Sequence, residues 1–184
     1  MRRNLALLLA LLVGAVAALA QKAPERVKRI VLMGSGGAPN AGFGPGLVKL
    51  VSFYDDPTEE NMASLLTEFV HDPSFFGDRL NEIAKARLPR ALRPDVERSH
   101  RATFSPGSGE PPMDASPEGL AKITQPALVV HGNDDRIVPF AGGQYFAEHL
   151  PNARFEAFED TGHWLQIEQG PKFAALLREF MAAT

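Results

Sequence analysis

At 184 residues the chain is about one domain long, and 45% hydrophobic against 22% charged residues is the balance of a globular sequence, not a disordered one. A net charge of -3 and a pI near 6.0 offer no basic surface for a nucleic-acid partner. With no cysteine, disulfides, thiolate metal sites and cysteine nucleophiles are excluded.

The first twenty residues read in two ways. Arg2 and Arg3 precede an apolar run from Leu5 to Ala20 that ends in Ala18-Leu19-Ala20, the layout of a secretory signal peptide. The run is short for a membrane span, which needs about 20 residues, so none is expected. Its alanines and leucines are equally good formers of a buried helix, which Pro24 would stop.

Val27 to Met33 (VKRIVLM) is β-rich and closed by Gly34-Ser35-Gly36-Gly37, a pattern that predicts a buried strand entering a loop. From Leu47 to Phe104 the pattern is helical. Asp56-Pro57-Thr58-Glu59-Glu60 predicts a helix start, with proline in the first turn and acids facing the helix dipole. Leu65, Leu66, Phe69 and Val70 form its apolar stripe. Asp72-Pro73-Ser74 predicts a second helix to Leu88, and Pro94 opens a third. Ser105 to Pro117 has the composition of a linker. Beyond it, ALVVH (127–131) reads as a strand, Phe140 to Leu150 as a helix, ARFEAF (153–158) as a strand, and the segment from Gly170 as an amphipathic helix.

Strands alternating with helices at both ends imply a parallel sheet, interrupted by the helical block. The expected fold is α/β, with a short parallel sheet, flanking helices and an inserted helical cap. Its expected units are an N-terminal apolar segment (1–26), a core strand with its glycine loop (27–46), the cap (47–104), the linker (105–117) and a C-terminal α/β core (118–184). Ligands of such sheets sit beyond the carboxyl ends of the strands, where the loops holding Gly34, Asp134 and His163 fall.

Two of those loops carry chemistry. Gly132-Asn133-Asp134-Asp135-Arg136 follows one strand, and Asp160-Thr161-Gly162-His163-Trp164 follows the next. A carboxylate at one strand end can fix the tautomer of an imidazole at the neighbouring end, and the imidazole can then take a proton from a nucleophile. The order acid, then histidine, matches the second half of the serine–acid–histidine order of α/β-hydrolases. Either Asp134 or Asp135 could serve, the other being a turn or capping residue.

The stretches APERVKRIVLMGSGG, DDPTEENM, FVHDPS, PALVVHGNDDRIVP and GHWLQIEQGPKFAALLREFM carry a resemblance. From Gly14 to Met181 the chain resembles the C-terminal two-thirds of the meta-cleavage-product hydrolases, a branch of the α/β-hydrolase superfamily that splits carbon–carbon bonds in ring-opened aromatic or steroid catabolites. The resemblance puts the triad acid at Asp135 and the base at His163, 28 positions apart. It makes Arg87 the match to the arginine that binds the substrate carboxylate, with Arg79 and Arg90 nearby, and Trp164 an aromatic lining of the pocket. Met113 falls where relatives often carry tryptophan. The implied partner is a small-molecule ring-cleavage product; no cofactor, metal, nucleic acid or membrane is implied. Esterase or epoxide hydrolase chemistry on the same fold is the alternative activity.

Plainer readings exist for each residue. Arg87 could be a solvated charge and Trp164 a packing residue. His131 is expected to end its strand structurally, while His71, His100 and His149 show no evident partner, and no cluster has metal-ligand spacing.

No Gly-x-Ser-x-Gly nucleophile elbow occurs in the sequence. Ser35 is the tempting substitute, but Met33 stands where the first glycine should. Residues 14–20 resemble the helix that follows the elbow in relatives, which favours the buried-helix reading and a cytoplasmic location over export. The first five strands, about 100 residues, have no counterpart. The sequence-level expectation is therefore a hydrolase by resemblance, inactive alone; the alternative is a non-enzymatic remnant or pairing module. An open sheet edge would invite a homo-oligomer.

Overall fold

A computed structural model describes residues 16–39, 41–104 and 113–182. Three parallel strands, β1 (Ile30–Met33), β2 (Ala127–Gly132) and β3 (Ala153–Phe158), lie in the order β1-β2-β3. The register aligns Met33 with Val130 and Gly132 with Phe158, so all three strands end at one rim. β1 is shorter than VKRIVLM suggested: residues 27–29 lie outside the strand, and pairing begins where Ile30 donates its N–H to the Pro126 carbonyl.

Every residue of β2 is buried, the mark of a strand covered on both faces. On one face, Ile30, Leu32, Ala127 and Val129 pack with Leu120, Ile123 and Phe146. The last of these belongs to helix α7 (Phe140–His149). A helix over residues 16–22, α1, adds Ala17, Ala18 and Ala20 to the same cluster. The small side chains let it lie close to the sheet, and Gln21 fastens it by hydrogen bonds to the carbonyls of Asp114 and Gly119 (2.7 and 2.9 Å). Residues 1–15, and with them most of the apolar run, lie outside the described residues. On the other face, Leu128, Val130 and Phe158 pack with Leu165 of α8 (Leu165–Glu168) and with Leu176 and Phe180 of α9 (Gly170–Ala182).

Between β1 and β2 lies the helical block, α2 (Pro45–Ser52), α3 (Glu59–Leu66), α4 (Leu80–Ala91) and α5 (Pro94–Phe104). Its own core gathers Phe53, Tyr54, Met62, Leu65, Leu66 and Ala84. Thr58 is the N-cap of α3 and accepts a hydrogen bond from the Asn61 N–H, so Pro57 stands before the helix and not in its first turn. The continuous helix expected from Asp72 to Leu88 is broken: residues Pro73–Arg79 are 3-10 turns, parted where Gly77 takes φ +53°. Only from Leu80 does α4 proceed.

Of the expected linker, residues 105–112 lie outside the described part. Its end is no loose tether. Met113 is buried in the sheet core, and Ser116 caps the short helix α6 (Pro117–Leu120) by accepting from the Gly119 N–H. No helix among the described residues is long and apolar enough to cross a membrane.

Phe146 is fully buried beneath the sheet. Phe146→Ala should lower the unfolding free energy by about 3–5 kcal/mol, through lost apolar burial and the cavity left behind. Urea unfolding followed by circular dichroism would measure it, and a loss under about 1 kcal/mol would mean the site collapses freely.

Candidate active site

The parallel register brings three loops to one rim, and hydrogen bonds beyond the strands hold them there. Gly34 donates to the Val130 carbonyl (3.0 Å), Asn133 to Phe158 (3.0 Å) and Asp134 to Thr161 (3.0 Å). The last two loops come unusually close at Gly132, where a Cβ would lie 2.3 Å from the carbonyl oxygens of both Thr161 and Gly162. Only glycine permits that approach.

Asp135 and His163 meet. His163 Nδ1 lies 2.8 Å from Asp135 Oδ2, with the carboxylate side chain fully buried and the imidazole 19% exposed. Asp135 Oδ1 accepts from the backbone N–H groups of Ile137 and Val138, both at 2.8 Å. Burial alone would raise the Asp135 pKa; hydrogen bonds from His131 and His163, the charge interaction with His163 and the Val138 N–H outweigh it, bringing the value down to about 2. An ionised Asp135 keeps the proton of His163 on Nδ1, which leaves Nε2 as the basic nitrogen. Gly34, at φ +50°, forms a wall of this pair: a Cβ there would come within 3.0 Å of His163 Nδ1 and Cε1.

Asp134 turns elsewhere. Its carboxylate pairs with His71 Nδ1 at 2.9 Å, with both side chains more than a third exposed. Asp134, His71 and Asp160 offer ligand atoms within 4.8 Å of one another, a grouping that sequence spacing did not reveal because it joins three separate loops. The contact between His71 and Asp134 already engages two of the three.

Trp164 and Arg87 extend the site into the helical block. The Trp164 ring stacks on Phe69 at 4.7 Å, and Phe69 meets the His163 ring edge-on at 5.6 Å. The Arg87 guanidinium lies over Trp164, 5.3 Å from the ring centroid. Burial, together with the charge of Arg90, lowers the Arg87 pKa from its ordinary value, and no carboxylate pairs with it among the described residues. Arg79, by contrast, sits beside Glu82 at 3.9 Å and is largely exposed. Trp164 is also a packing residue against the block's core, so both readings of it apply.

Several residues had partners that the sequence did not disclose. His131 is fully buried, with Nε2 at 3.0 Å from the Val138 carbonyl and 3.3 Å from Asp135 Oδ2. His100 Nε2 meets the Val51 carbonyl at 3.2 Å, and His149 Nδ1 the Tyr145 carbonyl at 2.8 Å. Glu168 accepts from the backbone N–H groups of His71 (2.7 Å) and Gly162 (2.8 Å), tying the helical block to the histidine loop. Ser35 is buried, and its hydroxyl has no hydrogen-bond partner among the described residues.

Because the Asp135 pKa lies below its unfolded value, it contributes stability that is fully present above about pH 4 and is lost as the pH falls toward 2. A depression from 3.8 to about 2 corresponds to roughly 2–3 kcal/mol. In Asp135→Asn this part of the acid dependence should disappear, whereas Asp134→Asn should leave it intact. Urea unfolding between pH 5 and 2.5 would measure both, and equal slopes in the two variants would contradict the buried-carboxylate assignment.

The chain matches the alpha/beta hydrolase fold family over residues 14–169. It is 35% identical over 171 residues to the 2-hydroxymuconate semialdehyde hydrolase of Pseudomonas putida, covering 92% of this chain and 59% of that one. It is 37% identical over 164 residues to a 2-hydroxy-6-oxononadienedioate/2-hydroxy-6-oxononatrienedioate hydrolase of Paraburkholderia phymatum, covering 86% of this chain and 55% of the relative. Among solved structures, the 2-hydroxy-6-oxo-6-phenylhexa-2,4-dienoate hydrolase of Rhodococcus sp. strain RHA1 superposes with a TM-score of 0.80 at 34% identity, covering 92% of this chain and 60% of that one. The chain thus spans between half and two-thirds of the length of these relatives. A three-stranded parallel sheet that ends in an acid loop and a histidine loop accords with the match, and the protein belongs to the alpha/beta hydrolase fold family.

Proposed function

We propose that this chain supplies the acid and the base of a carbon–carbon bond hydrolase acting on ring-opened, 2-hydroxy-6-oxo-dienoate-type substrates. The 2.8 Å contact between His163 Nδ1 and the buried Asp135 carboxylate carries the proposal. In it, His163 Nε2 takes the proton of a serine hydroxyl, while Asp135 orients the ring and stabilises the imidazolium that forms. Arg87 binds the substrate carboxylate, and Trp164 and Phe69 wall the path between that carboxylate and the base. A cation that is partly desolvated and lacks an acidic partner among the described residues favours an anionic substrate over the neutral ester or epoxide of the alternative reading. The relatives named above are hydrolases of small ring-cleavage acids, which supports the same choice.

The sequence contains no Gly-x-Ser-x-Gly elbow, and in this proposal the nucleophile is supplied by another polypeptide segment. The purified chain alone should not turn over 2-hydroxymuconate semialdehyde; turnover that His163→Ala abolishes would overturn this. Joined to the portion of the Pseudomonas putida relative that this chain does not cover, it should gain activity. In that chimera, His163→Ala should cost at least about 100-fold in kcat, as expected for loss of a general base. Arg87→Gln should raise KM about 10- to 100-fold, the worth of a charge-assisted hydrogen bond. An active chimera indifferent to both changes would refute the assignment. One that prefers neutral esters would move it to the esterase reading.

A further inference from the structure

The geometry points to His131 as a positioning residue of the acid–base pair, a second imidazole that fixes the Asp135 carboxylate on which His163 depends. This inference rests on the reading of Asp135 as the acid and extends it to a residue whose place in the sequence suggests only a strand end.

His131 lies on the face of β2 that looks toward α7, and its side chain is fully buried. Two features of α7 and its start shape its niche. Phe140 meets the ring edge-on at 5.9 Å, and Gly143 leaves room where a Cβ would fall 2.5 Å from His131 Nδ1. The ring thereby sends Nε2 toward two oxygens, the Val138 carbonyl at 3.0 Å and Asp135 Oδ2 at 3.3 Å. Nδ1 is buried with no hydrogen-bond partner among the described residues.

This arrangement selects one tautomer. A proton on Nδ1 would leave a buried N–H donor unpaired, at a cost of about 1–3 kcal/mol, and would aim the bare Nε2 lone pair at two oxygens. A proton on Nε2 removes both faults, donating between Val138 O and Asp135 Oδ2. Asp135 Oδ2 is then held by two imidazole N–H groups and Oδ1 by two backbone N–H groups. Neither oxygen can rotate away from His163 without breaking hydrogen bonds made inside a buried site. Because His131 touches the acid and not the base, its effect on catalysis runs through Asp135.

The test needs no turnover. Two-bond proton–nitrogen spectra of the 15N-labelled full chain at neutral pH report which ring nitrogen of each histidine is protonated. In the wild type, His131 should show the Nε2–H tautomer and His163 the Nδ1–H tautomer, the latter with the far-downfield proton of a hydrogen bond to a carboxylate. In His131→Leu, which keeps the volume but removes the donor, the His163 Nδ1–H signal should move upfield or be lost. In His131→Gln, whose amide restores a donor near the position of Nε2, it should return. A wild-type His131 protonated on Nδ1 overturns the proposal without any variant. So does a folded Leu variant whose His163 signal is unchanged. If the Leu variant does not fold, the Gln variant decides, and loss of the His163 signal there rejects the role. A wild-type His163 protonated on Nε2 would instead sink the acid–base reading itself, a result distinct from failure of His131 alone.

Discussion

Asp135 carries a negative charge on a fully buried side chain, and the local architecture supplies the donors that make this tolerable. Leaving such a carboxylate unpaired would cost several kcal/mol, enough to neutralise it instead. Two backbone N–H groups come from the turn that follows it, one imidazole from the end of its own strand, and one from the loop after β3. These donors belong to different segments, so the charge is stable only when β2, its loop and the histidine loop are assembled together. The parallel register does that assembly, aligning Gly132 with Phe158 so that both loops leave the sheet at one level.

The glycines at this rim serve the same constraint. Gly132 lets the carbonyls of Thr161 and Gly162 press onto the end of β2, and Gly34 gives His163 a flat wall to lie against. A side chain at either place would separate the loops by more than a hydrogen bond can span.

The helical block is joined to this rim by polar stitches and one aromatic column. Glu168 binds the backbone of both His71 and Gly162, Arg136 donates to the His71 carbonyl at 2.8 Å, and the Trp164 N–H donates to the Phe69 carbonyl at 2.9 Å. The rings of His163, Phe69 and Trp164 then lead outward to Arg87. The base and the cation assigned to the substrate thus sit on opposite sides of the junction between sheet and block. A molecule held by both, as the proposed function requires, would have to lie along that junction.

The sequence by itself determined the strands and helices wherever one local signal dominated. ALVVH and ARFEAF read as strands, their alternation with helices implied a parallel sheet, and the segment from Gly170 read as an amphipathic helix, as the structure has them. It also brought out the loop of Asp134 and Asp135 and the loop of His163, because an acid loop and a Gly-His loop after successive strands form a pattern that chain order displays; the choice of Asp135 came from the family resemblance. Local signals misled where a short-range competitor won: Thr58 took the cap that placed Pro57 outside α3, and Gly77 broke the expected helix. Tertiary structure alone decided which aspartate faces the histidine, since neighbouring residues in a turn point apart and only the packed loop shows Asp134 directed at His71. It alone made His131 a partner of Asp135, brought His71 near Asp160, and set Arg87 over Trp164. Those contacts hang on the angles at which loops and helices pack, which side-chain spacing along a chain does not encode.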